Sequence, residues 1–176
     1  MSTLDTTFMG QLKVGVVSDT RDNKDGLRLL LDKLLVGGAR YLFHCGGLGG
    51  VDMLDVLKPW HLYLVRGERE RDWQAVEAAL QKARLQSSLP TSMTVTLAGK
   101  RIGLCRGEDM ALVNQWAKSR EFDYIFHGYT LRRRDERQGK TRIINPGALS
   151  GPRYQPRSGC LIDLASGEAK FVEIPG

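Results

Sequence analysis

A β-branched run, Val14-Gly15-Val16-Val17, breaks into the polar segment Ser18-Asp19-Thr20-Arg21-Asp22-Asn23, and a helical pattern begins at Lys24. The carboxylate of Asp19 is therefore expected at the carboxyl end of a strand, where ligands collect in open α/β sheets. Capping of the next helix by Asp22 or Asn23 explains part of this turn without any function. Similar polar, glycine-containing turns follow the later strands, at Gly46-Gly47, Gly67-Glu68, Arg106-Gly107, Gly128-Tyr129 and Asn145-Pro146-Gly147. If those strands are parallel neighbours, the turns converge on one rim, and that rim is the expected site.

The chemistry available there is mixed. Cys45 and Cys105 stand at two strand ends, and His44 adjoins one of them, so a Cys–His nucleophile can be drawn. Adjacent residues on a strand face opposite ways, and two small buried thiols are the expected outcome. The run Gly46-Gly47-Leu48-Gly49-Gly50 lacks the Gly-Lys-Ser/Thr ending of a phosphate-binding loop. Arg132-Arg133-Arg134 reads as a solvated hairpin face, and Trp60, Trp73 and Trp116 read as core or oligomer contacts.

The elements that must position these residues alternate. Leu12 to Val17 reads as a buried strand, and Leu27, Leu30, Leu31, Leu34 and Leu35 recur at helical spacing. Gly37-Gly38 stops that helix, Tyr41 to His44 is a second strand, and a short helix is expected near Val51 to Leu57. His61 to Val65 is a third strand and Asp72 to Leu85 a helix. After Pro90 the pattern alternates: Met93, Val95 and Leu97 face one way, Gly99-Lys100 turns, and Ile102 to Leu104 returns. A helix carrying Leu112, Val113, Trp116 and Ala117, strands at Tyr124 to His127 and Arg142 to Asn145, and a hairpin of Cys160 to Leu164 with Ala169 to Ile174 complete the chain. Residues 1–10 read as a loosely ordered leader, and residues 11–176 as one domain of two layered sheets with helices outside.

With 176 residues and 41% apolar content, the chain is long enough for one full core. There is no stretch of 18 apolar residues and no basic-then-apolar start, so neither membrane insertion nor export is expected. An odd set of three cysteines without Cys-x-x-Cys spacing suits reduced thiols in a cytoplasm. The net charge of +6 attracts phosphates or an acidic partner. Nucleic acid is disfavoured, because the charge supplies a footprint but no recognition motif. A homo-oligomer remains open.

Five segments together resemble the calcineurin-like metallophosphoesterases, in their small single-domain phosphodiesterase branch: Ser18 to Asn23, His44-Cys45-Gly46-Gly47, Val65-Arg66-Gly67-Glu68, Phe126 to Leu131 and Ile144 to Arg153. The resemblance implies an α/β sandwich of two mixed sheets flanked by helices, and a centre of two metal ions, manganese, iron or zinc, that activates water and clamps a phosphoester. Carried over position by position, it also implies that most of the ligands are absent. Asp19 remains, but the His two residues on is Arg21. The bridging Asp is Gly47, the Asn of the Gly-Asn motif is Glu68, and the His residues of the next two positions are Arg106 and Glu108. Gly-His-Thr-His has become Gly128-Tyr129-Thr130-Leu131. If any residue holds a metal, it is Asp19 or Glu68, with no cofactor expected otherwise. His44 and His127 sit one or two positions from lost ligands and read as structural, and His61 has no argument for a role.

The replacements suggest a pattern. Guanidinium groups stand where cations stood, and a buried Asp19 without a partner would be costly. An Arg–carboxylate network is therefore expected, with Arg21 or Arg106 within hydrogen-bond reach of Asp19 or Glu68. Arg21, Arg66 and Arg106 are the candidate anion-binding residues. The functional expectation is a member of the family that has lost the two-metal centre and its phosphodiesterase activity and acts as a binding or scaffold protein, with an unknown protein or phosphate-containing ligand as partner. The alternative is an active metal-dependent phosphoesterase built on Asp19, Glu68, Glu108 and His44 or His127.

Overall fold

The computed structural model describes residues 11–152 and 154–176; the expected leader over residues 1–10 and Arg153 of the Pro-Arg pair lie outside the described residues. In chain order the elements are β1 (Lys13–Val17), α1 (Lys24–Val36), β2 (Tyr41–His44), a 3-10 turn (Val51–Met53) leading into α2 (Leu54–Leu57), β3 (His61–Leu64), α3 (Trp73–Lys82), β4 (Ser92–Leu97), β5 (Lys100–Cys105), α4 (Met110–Ser119), β6 (Tyr124–Phe126), β7 (Arg134–Gln138), β8 (Thr141–Asn145), β9 (Ser158–Asp163) and β10 (Ala169–Glu173). Two five-stranded mixed sheets result, ordered β10-β9-β1-β2-β3 and β4-β5-β6-β8-β7. Within them β1, β2 and β3 run parallel, as do β5, β6 and β8. Six strands thus deliver their carboxyl ends to the same side.

Strand alternation sorts the core into layers. Val14, Val16 and Phe43 of the first sheet meet Ile102, Leu104, Phe126 and Ile144 of the second, and Phe43 meets Phe126 edge-on at 5.2 Å. The other face of the first sheet, through Val17, Leu42, Leu62 and Leu64, receives Leu27, Leu30, Leu31 and Leu34 of α1. Gly15 makes that contact close: a Cβ there would stand 2.9 Å from the Leu34 side chain. On the second sheet α4 covers Ile125 and Ile143 with Val113 and Ala117, and Trp116 lies over Gly103. Burying such Leu and Phe side chains contributes about 1.5–3 kcal/mol each.

Several expectations need correction. Leu35 is 45% exposed, because it falls off the stripe formed by Leu27, Leu30, Leu31 and Leu34. Trp73 is only half-buried and carries the Arg66 guanidinium 4.0 Å above its ring, so it walls the cleft. The third arginine of the triplet starts strand β7, whose Arg-Asp-Glu-Arg-Gln sequence has no apolar alternation because it is an edge exposed along most of its length. Helix α3 is shorter than expected at both ends. No helix among the described residues is long and apolar enough to cross a membrane.

Candidate functional site

The turn after β1 brings Asp19 into the space between the sheets' carboxyl ends. Its amide donates to the Gly46 carbonyl at 3.0 Å, and its own carbonyl accepts from the Leu149 and Ser150 amides and the Ser150 hydroxyl. The carboxylate is fully buried and surrounded by donors. Arg106, at the end of β5, grips it with both ends of its fork, Nη2 to Oδ1 at 2.5 Å and Nη1 to Oδ2 at 3.0 Å. Ser18 Oγ and the Tyr129 amide donate to Oδ2 at 2.8 and 3.2 Å, and Arg21 Nη2 reaches Oδ1 at 3.4 Å.

Electrostatics follow from this geometry. Burial alone would raise the Asp19 pKa, but the hydrogen bonds and charge of Arg106, with Ser18 and Arg21, outweigh it and hold the group below the usual carboxylate range. Burial likewise disfavours the charged Arg106, and Asp19 reverses that, with Glu70 adding to it, so the guanidinium is held more firmly protonated than usual.

The neighbouring turns close around the pair. Gly47 has φ +70, its amide donates to the Glu70 carboxylate, and a Cβ on it would stand 2.9 Å from Asp19 Oδ1 and 3.2 Å from Arg106 Nη2. The guanidinium therefore fills the space next to the position where the resemblance implies a bridging side chain. Asn145 donates to the Gly128 carbonyl and to Thr130 Oγ1 and accepts from the Gly147 amide, tying the last turn to the Gly128–Thr130 loop. Positive φ is concentrated here in residues other than glycine: Asp19, Arg21, Asp22, Tyr129 and Leu131 all adopt it. Strained backbone of this kind is held only where surroundings over-determine it.

The other singled-out residues divide. Glu68 is exposed and makes no ion pair with Arg21 or Arg106; its amide instead donates to Glu108 at 3.4 Å. The carboxylate that faces Arg106 is Glu70, which sequence reasoning missed, although it stands two residues past Glu68 in the same turn. Ser18 was missed as well. Leu131 packs toward Gly151, and the exposed Tyr129 ring lies 5.3 Å from the Arg106 guanidinium carbon. Arg66 donates to the carbonyls of Leu89 and Gly67.

His44 and His127 are buried and neutral in opposite tautomers. The Gly46 amide donates to Nδ1 of His44, so Nε2 carries the proton toward Thr20 Oγ1 at 3.0 Å, and Thr20 in turn donates to the Leu48 carbonyl. In His127 Nδ1 faces the Gly128 carbonyl at 3.1 Å and carries the proton, leaving Nε2 to accept from Arg134. Burial pushes the two down to about 3 and about 4. Cys45, Cys105 and Cys160 are buried free thiols whose burial raises their pKa values, to about 12 for the latter two, which leaves no thiolate for a nucleophile. His61 stacks on Tyr41 at 4.8 Å, far from this chemistry in role.

Above the pair opens a cleft of about 1170 Å³, whose walls include Arg21, Arg66, Arg69, Arg71, Trp73 and Arg106. A domain of known type, the calcineurin-like phosphoesterase superfamily domain, matches residues 12–167. The chain belongs to the calcineurin-like phosphoesterase superfamily. Solved structures agree on the fold. An archaeal phosphodiesterase superposes with a TM-score of 0.85 at 17% identity, covering 93% of this chain and 100% of that one. Vacuolar protein sorting 29 from Cryptosporidium parvum gives 0.65 at 18%, covering 92% and 96%. The phosphoesterase YfcE from E. coli gives 0.59 at 18%, covering 93% and 100%. No curated protein matches the chain.

The superfamily implies a two-metal centre, and the residues present do not fit one. Both oxygens of Asp19 are engaged by Arg106, and Gly47 has no side chain to bridge with. Tyr129 and Leu131 stand where the resemblance implies imidazoles and supply none, and the Glu68 carboxylate, on the cleft wall, makes no bond to Asp19 or Arg106. Among the described residues no three His, Cys, Asp or Glu side chains converge on a common point.

Proposed function

We propose that this chain is a phosphoesterase-fold protein that has exchanged the two-metal centre for an arginine–aspartate pair and works by binding, without phosphodiester hydrolysis. The observation that carries the reading is the bidentate seat of Arg106 on the buried Asp19. A fixed guanidinium supplies the positive charge that the carboxylate needs, but it cannot lower the pKa of a water or bind one as a nucleophile, which is what the metals contribute in this family. A protein partner is the favoured target, on a fold that also serves a vacuolar protein sorting protein. The test is a calorimetric manganese titration of chelator-stripped protein beside its Asp19→Ala variant, with a phosphodiester hydrolysis assay in the same metal. No heat and no hydrolysis at millimolar manganese is the expected result. Tight binding that vanishes in Asp19→Ala, with turnover, would overturn the reading and restore the metal-dependent phosphoesterase.

A retained anion site is a second reading, favoured by how the cleft spends its hydrogen bonds. Glu70, Glu108 and Asp22 accept backbone amides, of Gly47, Glu68 and Gly50. By contrast Arg69 and Arg71 make no hydrogen bond or ion pair among the described residues, and Arg21, 48% exposed at its side chain, has one long contact. The free capacity at the mouth, where Glu68 and Asp72 also stand, thus leans toward donors suited to a phosphate-containing ligand. Inorganic phosphate titrated into wild type and Arg21→Ala tests it: heat that is lost in the variant supports the site, and no heat in wild type removes it.

A further inference from the structure

The two sheets have four outer edges; one is occupied by a side chain and two are guarded by charge. At β3, Gln86 occupies the pairing positions: its side-chain oxygen accepts the Leu64 amide at 2.8 Å and its nitrogen donates to the Leu64 carbonyl at 2.7 Å. β7 is Arg-Asp-Glu-Arg-Gln, and β10 carries Lys170 and Glu173, so both present charge, the usual protection of an edge. β4 is different. Its sequence Ser92-Met93-Thr94-Val95-Thr96-Leu97 contains no charge and no proline, and its one sheet neighbour is β5.

The hairpin register says which backbone groups are free. Leu97 pairs with Lys100 across a two-residue loop, Ala98 at φ 49 and Gly99 at φ 72. Such a loop closes on a hydrogen-bonded pair, and alternation makes Val95–Ile102 and Met93–Leu104 hydrogen-bonded as well. The N–H and C=O groups of Ser92, Thr94 and Thr96 therefore face away from β5. Among the described residues they bond to no other element.

We propose that β4 is a self-association edge, pairing antiparallel with β4 of a second copy of this chain about a twofold axis between two Thr94 residues. This register uses every outward group: Ser92 meets Thr96 of the second copy, Thr94 meets Thr94, and Thr96 meets Ser92, each exchanging both hydrogen bonds. Centring on Met93 or Val95 forfeits one of these reciprocal pairs. The strand is also its own complement. Antiparallel pairing sets threonine against threonine and serine against threonine with no like charges opposed, a favourable cross-strand pattern. An isologous contact of this kind closes on itself as a dimer. On the inner face Met93, Val95 and Leu97, packed on the inter-sheet core but still partly exposed, become continuous with their copies. Along Met93 to Leu97 the strand offers no charge to select a foreign sequence, and only Ser92, at its start, reaches the wall of the cleft. The proposal does not depend on the state of the Asp19 site.

Sedimentation velocity over a concentration series tests it. Wild type is expected to dimerise reversibly in the micromolar range. Thr94→Pro removes one outward N–H from each copy and leaves the bonds to β5 intact, so the dimer dissociation constant should rise about thirtyfold. Thr94→Lys and Thr94→Glu, at an exposed position, should each be monomeric, and mixing the two in equal amounts should restore the dimer. A wild type that stays monomeric at the top of the series, as it would if this edge received a different protein's strand, overturns the proposal. So does a dimer indifferent to Thr94→Lys, or a mixture that fails to reassociate while both variants keep the wild-type circular dichroism and urea midpoint.

Discussion

Arg106 and Asp19 form a buried ion pair in which each member exists to satisfy the other. Taking both charges out of water is costly, and their attraction roughly offsets that cost when geometry is good, so the pair's net contribution is modest. Removing one member is different, because the other is left charged and buried. Arg106→Ala is expected to cost about 3–5 kcal/mol, and Asp19→Ala a similar amount. The double variant should lose far less than the sum. Urea denaturation of the cycle measures this, and additive losses would mean that the two residues are held independently. Arg106→Lys keeps the charge but loses the fork, and should fall between wild type and Arg106→Ala. At this scale the sequence was informative about which positions had changed and silent about how they paired. Arg21 and Arg106 were equal candidates as partners of Asp19, yet Arg21 reaches it at 3.4 Å from an exposed position and Arg106 holds it from within. Glu68 was singled out because the resemblance put it at a ligand position, and only the turn's path shows that it is Glu70 that faces the guanidinium.

Among the elements, the turn between β1 and α1 does two jobs. Asn23 caps α1 as its Oδ1 accepts from the Gly26 amide at 3.1 Å, while its side-chain Nδ2 donates to the Leu149 carbonyl at 2.9 Å. Helix start and the Asn145-Pro146-Gly147 segment are thereby joined through one side chain. Asn23→Ala should cost about 1–2 kcal/mol, the cap together with the tie. Asn23→Asp keeps the acceptor but not the donor and should recover only the cap's share, which thermal unfolding of the three proteins can resolve. The elements themselves were largely legible. β1, β2 and α1 are periodic and bounded by Asn23 and Gly37, so pattern and punctuation agree. β7 was not legible, because its side chains face solvent and an edge strand without an apolar face leaves no period-two signal. Trp73 was half legible: an aromatic at helical spacing reads as core, and its ring does pack against the core, but at the first residue of α3 it also carries Arg66 on its outer side.

For the molecule as a whole, acid sensitivity is expected to come first from two buried neutral histidines that hold turns of the first and second sheets. His44 is held at about 3 and His127 at about 4, both by burial, against an ordinary value of 6.5. Because the folded values are depressed, the stabilisation is fully present above pH 6.5. It is lost as pH falls and the unfolded chain takes up protons that the folded chain refuses. Each histidine withdraws about 1.4 kcal/mol per pH unit, so the two together remove about 5 kcal/mol between pH 6.5 and roughly 4.5. Asp19 adds to this only later. Its folded pKa lies below 3.8, so its contribution starts to fade as pH drops under the ordinary carboxylate value. Small domains hold about 5–15 kcal/mol in all, and acid unfolding is therefore expected near pH 4, led by the histidines before the ion pair is titrated. Urea midpoints measured from pH 7 to pH 4 should fall steeply below pH 6.5. His127→Gln should lessen the slope by about half while lowering stability at pH 7, since it removes one titrating group and loosens one turn. A slope unchanged in that variant would locate the sensitivity elsewhere, and a wild-type profile flat down to pH 4.5 would show that His44 and His127 accept protons without opening the turns they hold.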